Sequence, residues 1–272
     1  MEYENFESEV RDGIAWVQIL SAEAPSVGDL CDEFVDMLLR HQEDAAVRAV
    51  ILTDGLRPFD LDDNLEGLAQ ERAEGQDFGA LAPRLDSARR LVTALQELSK
   101  PVVAAAAGPV REAGFGLFLA ADVRLAAATA TFTPPDLVRG LLPDWGLTHS
   151  LPRLVGPGRT LELLWSGRTL DAAEAARSGL VDRVIPAEVW EEELDLLARR
   201  LASLPQPVVR LTKLAAQQSG QFDLTSMFSF EFEAQQQCWE SRETAEGLAA
   251  FLDDRPPRFA PPAADTDEDD AS

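Results

Sequence analysis

The apolar positions along this chain change period several times, and each change marks an element. Between Phe6 and Ile19 they supply a β alternation through Ile14, Trp16, Val17 and Ile19, which predicts two short strands around Asp12-Gly13. From Leu30 to His41 the spacing widens to Leu30, Phe34, Met37 and Leu38, the pattern of a helix with one buried face. Val47 to Thr53 is an unbroken apolar strand, whereas Leu68 to Gly79 is polar and charged and reads as a flexible flap. Helical spacing returns over Arg84–Ser99 and stops at Lys100-Pro101. Val102–Ala106 is then a run of small apolar residues suited to a buried strand, and Gly108-Pro109 breaks it. Ala113-Gly114-Phe115-Gly116 opens a helical run to Ala121, and Asp122–Ala126 is extended again. Trp190–Leu204 reads as an amphipathic helix, Pro205–Gln218 as another, and Leu224–Leu252 as two more.

Composition narrows the class. The chain has 272 residues, 46% of them hydrophobic, enough for one large domain or a domain with an appendage. A net charge of −24 argues against nucleic-acid binding, because phosphate contacts need clustered Lys and Arg. The acidic N-terminus is unlike a secretory leader and no apolar run is long enough to span a bilayer, so no membrane association is expected. Two cysteines, Cys31 and Cys238, and two histidines, His41 and His149, have no metal-ligand spacing; no metal is expected, and the cysteines suit a reducing cytoplasm. Ala260–Ser272 is proline, alanine and acid, the composition of a disordered tail.

The candidate chemistry lies between Lys100 and Gly156. A strand, a small-residue turn and a helix start leave backbone N–H groups unpaired, a place for an anion or a developing oxyanion. The Pro/Gly-rich stretch Phe132–Gly146 follows, carrying two isolated carboxylates, Asp136 and Asp144. Leu141, Leu142 and Trp145 around Asp144 would raise its pKa toward that of a useful base. The structural alternative is that Asp144 caps a helix beginning near Trp145.

The segments Lys100-Pro101-Val102, Asp122-Val123-Arg124-Leu125-Ala126, Phe132-Thr133-Pro134-Pro135-Asp136, Gly140–Gly146 and Leu151–Gly156 resemble, in order and spacing, the enoyl-CoA hydratase/isomerase (crotonase) family. The likeness runs over roughly residues 6–259. It implies an α/β fold, a spiral of β-β-α units with a C-terminal helical oligomerisation region. The chain is then expected to divide into a core (1–204), the helical region (205–259) and the tail (260–272). It also implies an acyl-CoA thioester as substrate with no separate cofactor, and a homotrimer or dimer of trimers.

Carried over by position, the resemblance assigns the two oxyanion N–H groups to Asp63 and Ala113. Asp62 stands in a glycine place before the first donor, and Glu112 takes the first place of the family's three small residues. Hydratases use two glutamates on one water; here the first place is Gly116 and the second Asp136. Double-bond isomerisation with Asp144 as proton shuttle is therefore expected in preference to hydration, with Asp136 as an alternative base or partner. Arg255 and Arg258 fall where relatives offer cations to CoA phosphates. Leu20–Val27 lacks the Arg and Asn of the usual CoA clasp. That loss, with the acidic pair Asp62-Asp63, leaves a non-catalytic binding or assembly subunit, or a hydratase-like enzyme with a specialised substrate, as alternatives.

Overall fold

In the computed structural model, residues 3–19, 27–53, 59–61 and 65–259 are described. The expected CoA clasp at 20–26, the acidic residues Asp62 and Asp63, and the tail at 260–272 lie outside them. The chain divides into two compact units, Met1–Ala202 and Ser203–Ser272.

In the first unit, β1 (Phe6–Arg11) and β2 (Ile14–Ile19) form the expected hairpin, with Asp12 and Gly13 at its positive-φ turn. Helix α1 (Val27–Glu43) leads to β3 (Ala49–Thr53) and the two-residue strand β4 (Asp60–Leu61). The segment read as a flap instead contains helix α2 (Leu65–Ala73) and a 3-10 turn, Phe78–Ala80, capped by Asp77. Its Leu, Glu, Ala, Gln and Arg residues favour helix, but they form no apolar stripe, so periodicity did not reveal it. Helix α3 (Ala82–Glu97) then precedes β5 (Val102–Ala106), β6 (Pro109–Arg111) and α4 (Glu112–Ala120). Next come β7 (Val123–Ala127), β8 (Thr131–Thr133), α5 (Leu147–Val155) and α6 (Pro157–Ser166). The unit closes with β9 (Leu170–Asp171), α7 (Ala172–Ser178), β10 (Arg183–Ile185) and α8 (Trp190–Ala202).

The strands alternate between two sheets, ordered β1-β2-β3-β5-β7-β10 and β4-β6-β8-β9. From β3 to β8, therefore, each turn of the spiral lays one strand in each sheet, and a helix follows in the first two turns. All pairings from β2 through β10 in the larger sheet are parallel, as crossover connections require. The two-residue period assigns alternate side chains to different cores. Val102, Ala104 and Ala106 join α1, α3 and α4 on one side, whereas Val103 and Ala105 meet Trp190, Leu194 and Ala198 of α8 on the other. Arg124 is a buried charge fully accounted for, donating to the Ala121 and Leu180 carbonyls at 2.8 and 3.1 Å and pairing with Asp182 at 2.9 Å.

The second unit holds α9 (Gln206–Gln218), α10 (Leu224–Trp239) and α11 (Arg242–Leu252). Asp223 and Ser241 cap the last two, accepting from the Ser226 and Thr244 amides. Leu224, Phe228 and Phe232, four residues apart on one face of α10, are all exposed.

Candidate active site

The start of α4 is positioned by sterics. Arg111 donates its amide to the Phe59 carbonyl at 2.9 Å, pairing β6 with β4. At Gly114, an added Cβ would lie 1.7 Å from the Phe59 oxygen, so no side chain fits there. That contact seats the helix N-terminus beside the end of β4. Ala113 is buried at the second helical position, and no described residue accepts its N–H. The donor assigned to Asp63 falls outside the described residues.

A cleft lies in front of this helix start, lined by Glu112, Asp136, Arg139, Asp144 and Trp145, with Leu68, Leu81, Leu141 and Leu142 supplying apolar wall. The two aspartates thus share one cleft, but their environments differ. Asp136 is exposed, and its carboxylate accepts the Val138 amide at 3.0 Å, capping a 3-10 turn over Leu137–Arg139. Asp144 is half-buried. Burial pushes its carboxyl above the usual carboxylate range; its own backbone N–H opposes that, and the nearby Glu112 charge adds to it.

Helix α5 does not use Asp144 as its cap. Its N-cap is Gly146, in the left-handed conformation at φ 71°, and no side chain bonds there. Only the Asp144 carbonyl takes part, accepting the Leu147 amide at 2.9 Å. The capping alternative is therefore overturned. The intervening Trp145, itself at φ 51° and buried, carries the chain from one role to the other.

Sequence reasoning missed two features here. Gly116 faces Trp145 so closely that an added Cβ would stand 2.2 Å from the Trp145 Cβ. Glu112 has φ 49° and holds Arg139 by a two-point ion pair, 2.6 and 2.9 Å. The signal for the second was present: an acid in a small-residue place and a lone arginine in the facing loop. Nothing in the local sequence signalled the first.

In the C-terminal unit, the Arg255 guanidinium is held at two points by Glu246, at 2.7 and 2.9 Å, and this pairing takes the Glu246 carboxyl down to about 2. Arg258 meets the same carboxylate through its backbone amide, at 2.7 Å.

The fold is a two-sheet β-β-α spiral in which Glu112, the first residue of α4, shares a cleft with Asp136 and Asp144. The model of the enoyl-CoA hydratase/isomerase family matches residues 21–262, and the chain belongs to that family. It is 34% identical over 263 residues to the crotonyl-CoA hydratase of Syntrophomonas wolfei subsp. wolfei, covering 95% of this chain and 99% of that protein. It is 30% identical over 217 residues to the short-chain-enoyl-CoA hydratase of Clostridium acetobutylicum, covering 79% and 80%. Among solved structures, an enoyl-CoA hydratase/isomerase from Cupriavidus metallidurans CH34 superposes with a TM-score of 0.83 at 32% identity, covering 95% of this chain and 97% of that one. Among the described residues, no helix is long and apolar enough to cross a membrane.

Proposed function

We propose that the chain is an acyl-CoA isomerase in which Asp144 shuttles a proton across an enolate held by the amides of Ala113 and Asp63. The observation that carries this reading is Asp144 itself: a half-buried carboxyl, raised by burial and released from capping, in the cleft at the start of α4. In the reaction, Asp144 takes a proton from carbon next to or conjugated with the thioester. The electron pair moves onto the thioester oxygen, whose negative charge the N–H groups stabilise. The same carboxyl then returns the proton at another carbon, which shifts the double bond without consuming water.

A specific observation also favours hydration, because the Syntrophomonas and Clostridium relatives are named hydratases. Against it stands the seat of Trp145. By the resemblance, Gly116 occupies the place of the first hydratase glutamate, and a side chain there would collide with Trp145. Asp136, in the second place, would then lack its partner carboxylate for hydration, and its own carboxylate accepts the Val138 amide. For the CoA phosphates, Arg258 suits the role better than Arg255, whose guanidinium Glu246 already occupies. The exposed Leu224-Phe228-Phe232 stripe supports assembly with further copies, as a trimer or dimer of trimers.

The test is hydrogen exchange at the α-carbon of butyryl-CoA in deuterated water, together with product analysis on an enoyl-CoA. Exchange present in the wild type and lost in Asp144→Asn, with a shifted double bond and no hydroxyacyl product, is the expected result. Exchange that survives in that variant moves the base to Asp136. A hydroxyacyl product would restore hydration, and neither binding nor exchange would leave a non-catalytic subunit.

A further inference from the structure

Glu112 combines three features that one residue seldom shows. Its backbone is left-handed at φ 49°, a conformation that disfavours any residue with a side chain. Its carboxylate forms a two-point ion pair with Arg139, 27 positions away, on the turn that Asp136 caps. Both members line the cleft; the Glu112 side chain is partly buried and Arg139 is exposed. Backbone strain persists where the surrounding structure enforces it, and such sites concentrate at functional centres. A bidentate Arg–carboxylate pair fixes geometry as well as charge.

We propose that Glu112 and Arg139 are a positioning pair for this site: Arg139 anchors Glu112 in its left-handed conformation, and so the neighbouring Ala113 N–H, and cancels the Glu112 charge where an anion has to form. The proposal rests on the reading of Asp144 and Ala113 given above and names residues that reading does not use. The pair joins the two walls of the cleft, α4 on one side and the Asp136–Gly140 turn on the other. Unpaired, the Glu112 carboxylate would sit one residue from the oxyanion donor and oppose the enolate. It would also favour the protonated form of Asp144, the form that cannot act as a base.

Among the described residues, few other titratable or charged groups line the cleft. Asp136 lies on the turn, engaged with the Val138 amide; Arg84 comes from α3 and pairs with Glu71 of α2 at 3.5 Å. Neither stands between Glu112 and its arginine, and E112Q and R139Q/E112G therefore test the Glu112 charge alongside R139Q.

The experiment compares wild type, R139Q, E112Q and the double variant R139Q/E112G. Two readouts are taken: butyryl-CoA α-proton exchange against pH, and carbon-13 NMR titration of the Asp144 carboxyl, assigned by its loss in D144N. In R139Q, exchange at neutral pH should fall roughly tenfold or more, and its acid limb should move up by about one pH unit. E112Q should move that limb down. In R139Q/E112G the glycine relieves the backbone and removes the charge, so most of the loss should be recovered although Arg139 is still absent. A double variant no better than R139Q, or an acid limb that stays in place in every variant, overturns the proposal. If R139Q does not fold, the direction of the E112Q limb decides. If the wild type exchanges no protons, the reading of the site as an enolate enzyme fails separately. The Asp144 titration still decides the pair, which stands if that carboxyl rises in R139Q and falls in E112Q, and falls if it moves in neither.

Discussion

The two walls of the cleft are built on opposite terms. Helix α4, from Ala113 to Ala120, is buried throughout, and its two glycines abut the Phe59 carbonyl and the Trp145 Cβ with no room for a side chain. The facing loop between β8 and α5 is largely exposed: Asp136, Val138 and Leu142 meet solvent, and only Pro134, Pro143 and Trp145 are buried within it. One wall is specified by close approach of backbone; the other carries the polar groups. The helix fixes where the amide points, and the loop decides which carboxyl is free. A fold can therefore be kept by its sterics while its chemistry is changed by a few loop residues.

The largest effect should come from breaking the helical wall. Gly114→Ala places a methyl 1.7 Å from the Phe59 oxygen, and backbone cannot yield as a flexible side chain can. A loss of about 3 kcal/mol or more is expected, at the upper end for overpacking, read as a collapse of soluble folded protein or of its urea midpoint. A stable Gly114→Ala protein would show that the β4–α4 contact is not what seats the helix. Next in size is a change in the loop that leaves the wall alone. Asp144→Asn should keep the fold and lower α-proton exchange by about 10²–10⁴, the usual range for a general base.

The contact between the walls gives a sharper test. Gly116→Glu alone should destabilise, because its Cβ would stand 2.2 Å from that of Trp145. Combining it with Trp145→Gly removes the side-chain obstruction, leaving the backbone oxygen of residue 145 at 3.1 Å, and relieves the positive φ at position 145. If Trp145 is what excludes the first carboxylate of a hydratase, a hydroxyacyl product should appear from an enoyl-CoA only in the double variant. Hydration by the wild type would place the catalytic acids elsewhere and break the comparison.

How much of this was legible in the sequence follows from the range of the forces involved. Val102–Ala106 and the helix from Ala113 were readable because a run of small apolar residues and a Gly-rich helix start are local signals. Arg124, Asp136 and Asp144 were readable through motif spacing. Helix α2 was not, since it has propensity without an apolar stripe. Asp144 was preferred to Asp136 as the base by position, but the difference in their surroundings was not legible. A left-handed Gly146 takes the cap position from Asp144, and Asp136 caps a turn that motif spacing did not reveal. The Gly116–Trp145 contact joins residues 29 positions apart along the chain, and no local pattern encodes it.

The smallest effects test whether the loop's two acids differ in kind. Asp136→Ala removes a cap and should cost about 0.5–1 kcal/mol, with exchange reduced a few-fold at most. Asp144→Asn should do the opposite to stability. Burial raises the Asp144 carboxyl, so between the ordinary carboxylate value and its native one the folded chain binds the extra proton. Stability conferred by that proton is lost as pH rises through the window, and the penalty is complete above it. Asparagine carries no such penalty, so Asp144→Asn should melt above wild type at pH 7. The difference should shrink toward zero as pH falls below about 4, where the carboxyl is protonated folded or unfolded. Melting curves of both variants at pH 7 and pH 4 read the signs directly. An Asp144→Asn protein that melts below wild type at pH 7 would mean the carboxylate is held by stabilising contacts, as Asp136 is, and the two walls would then owe their difference to exposure alone.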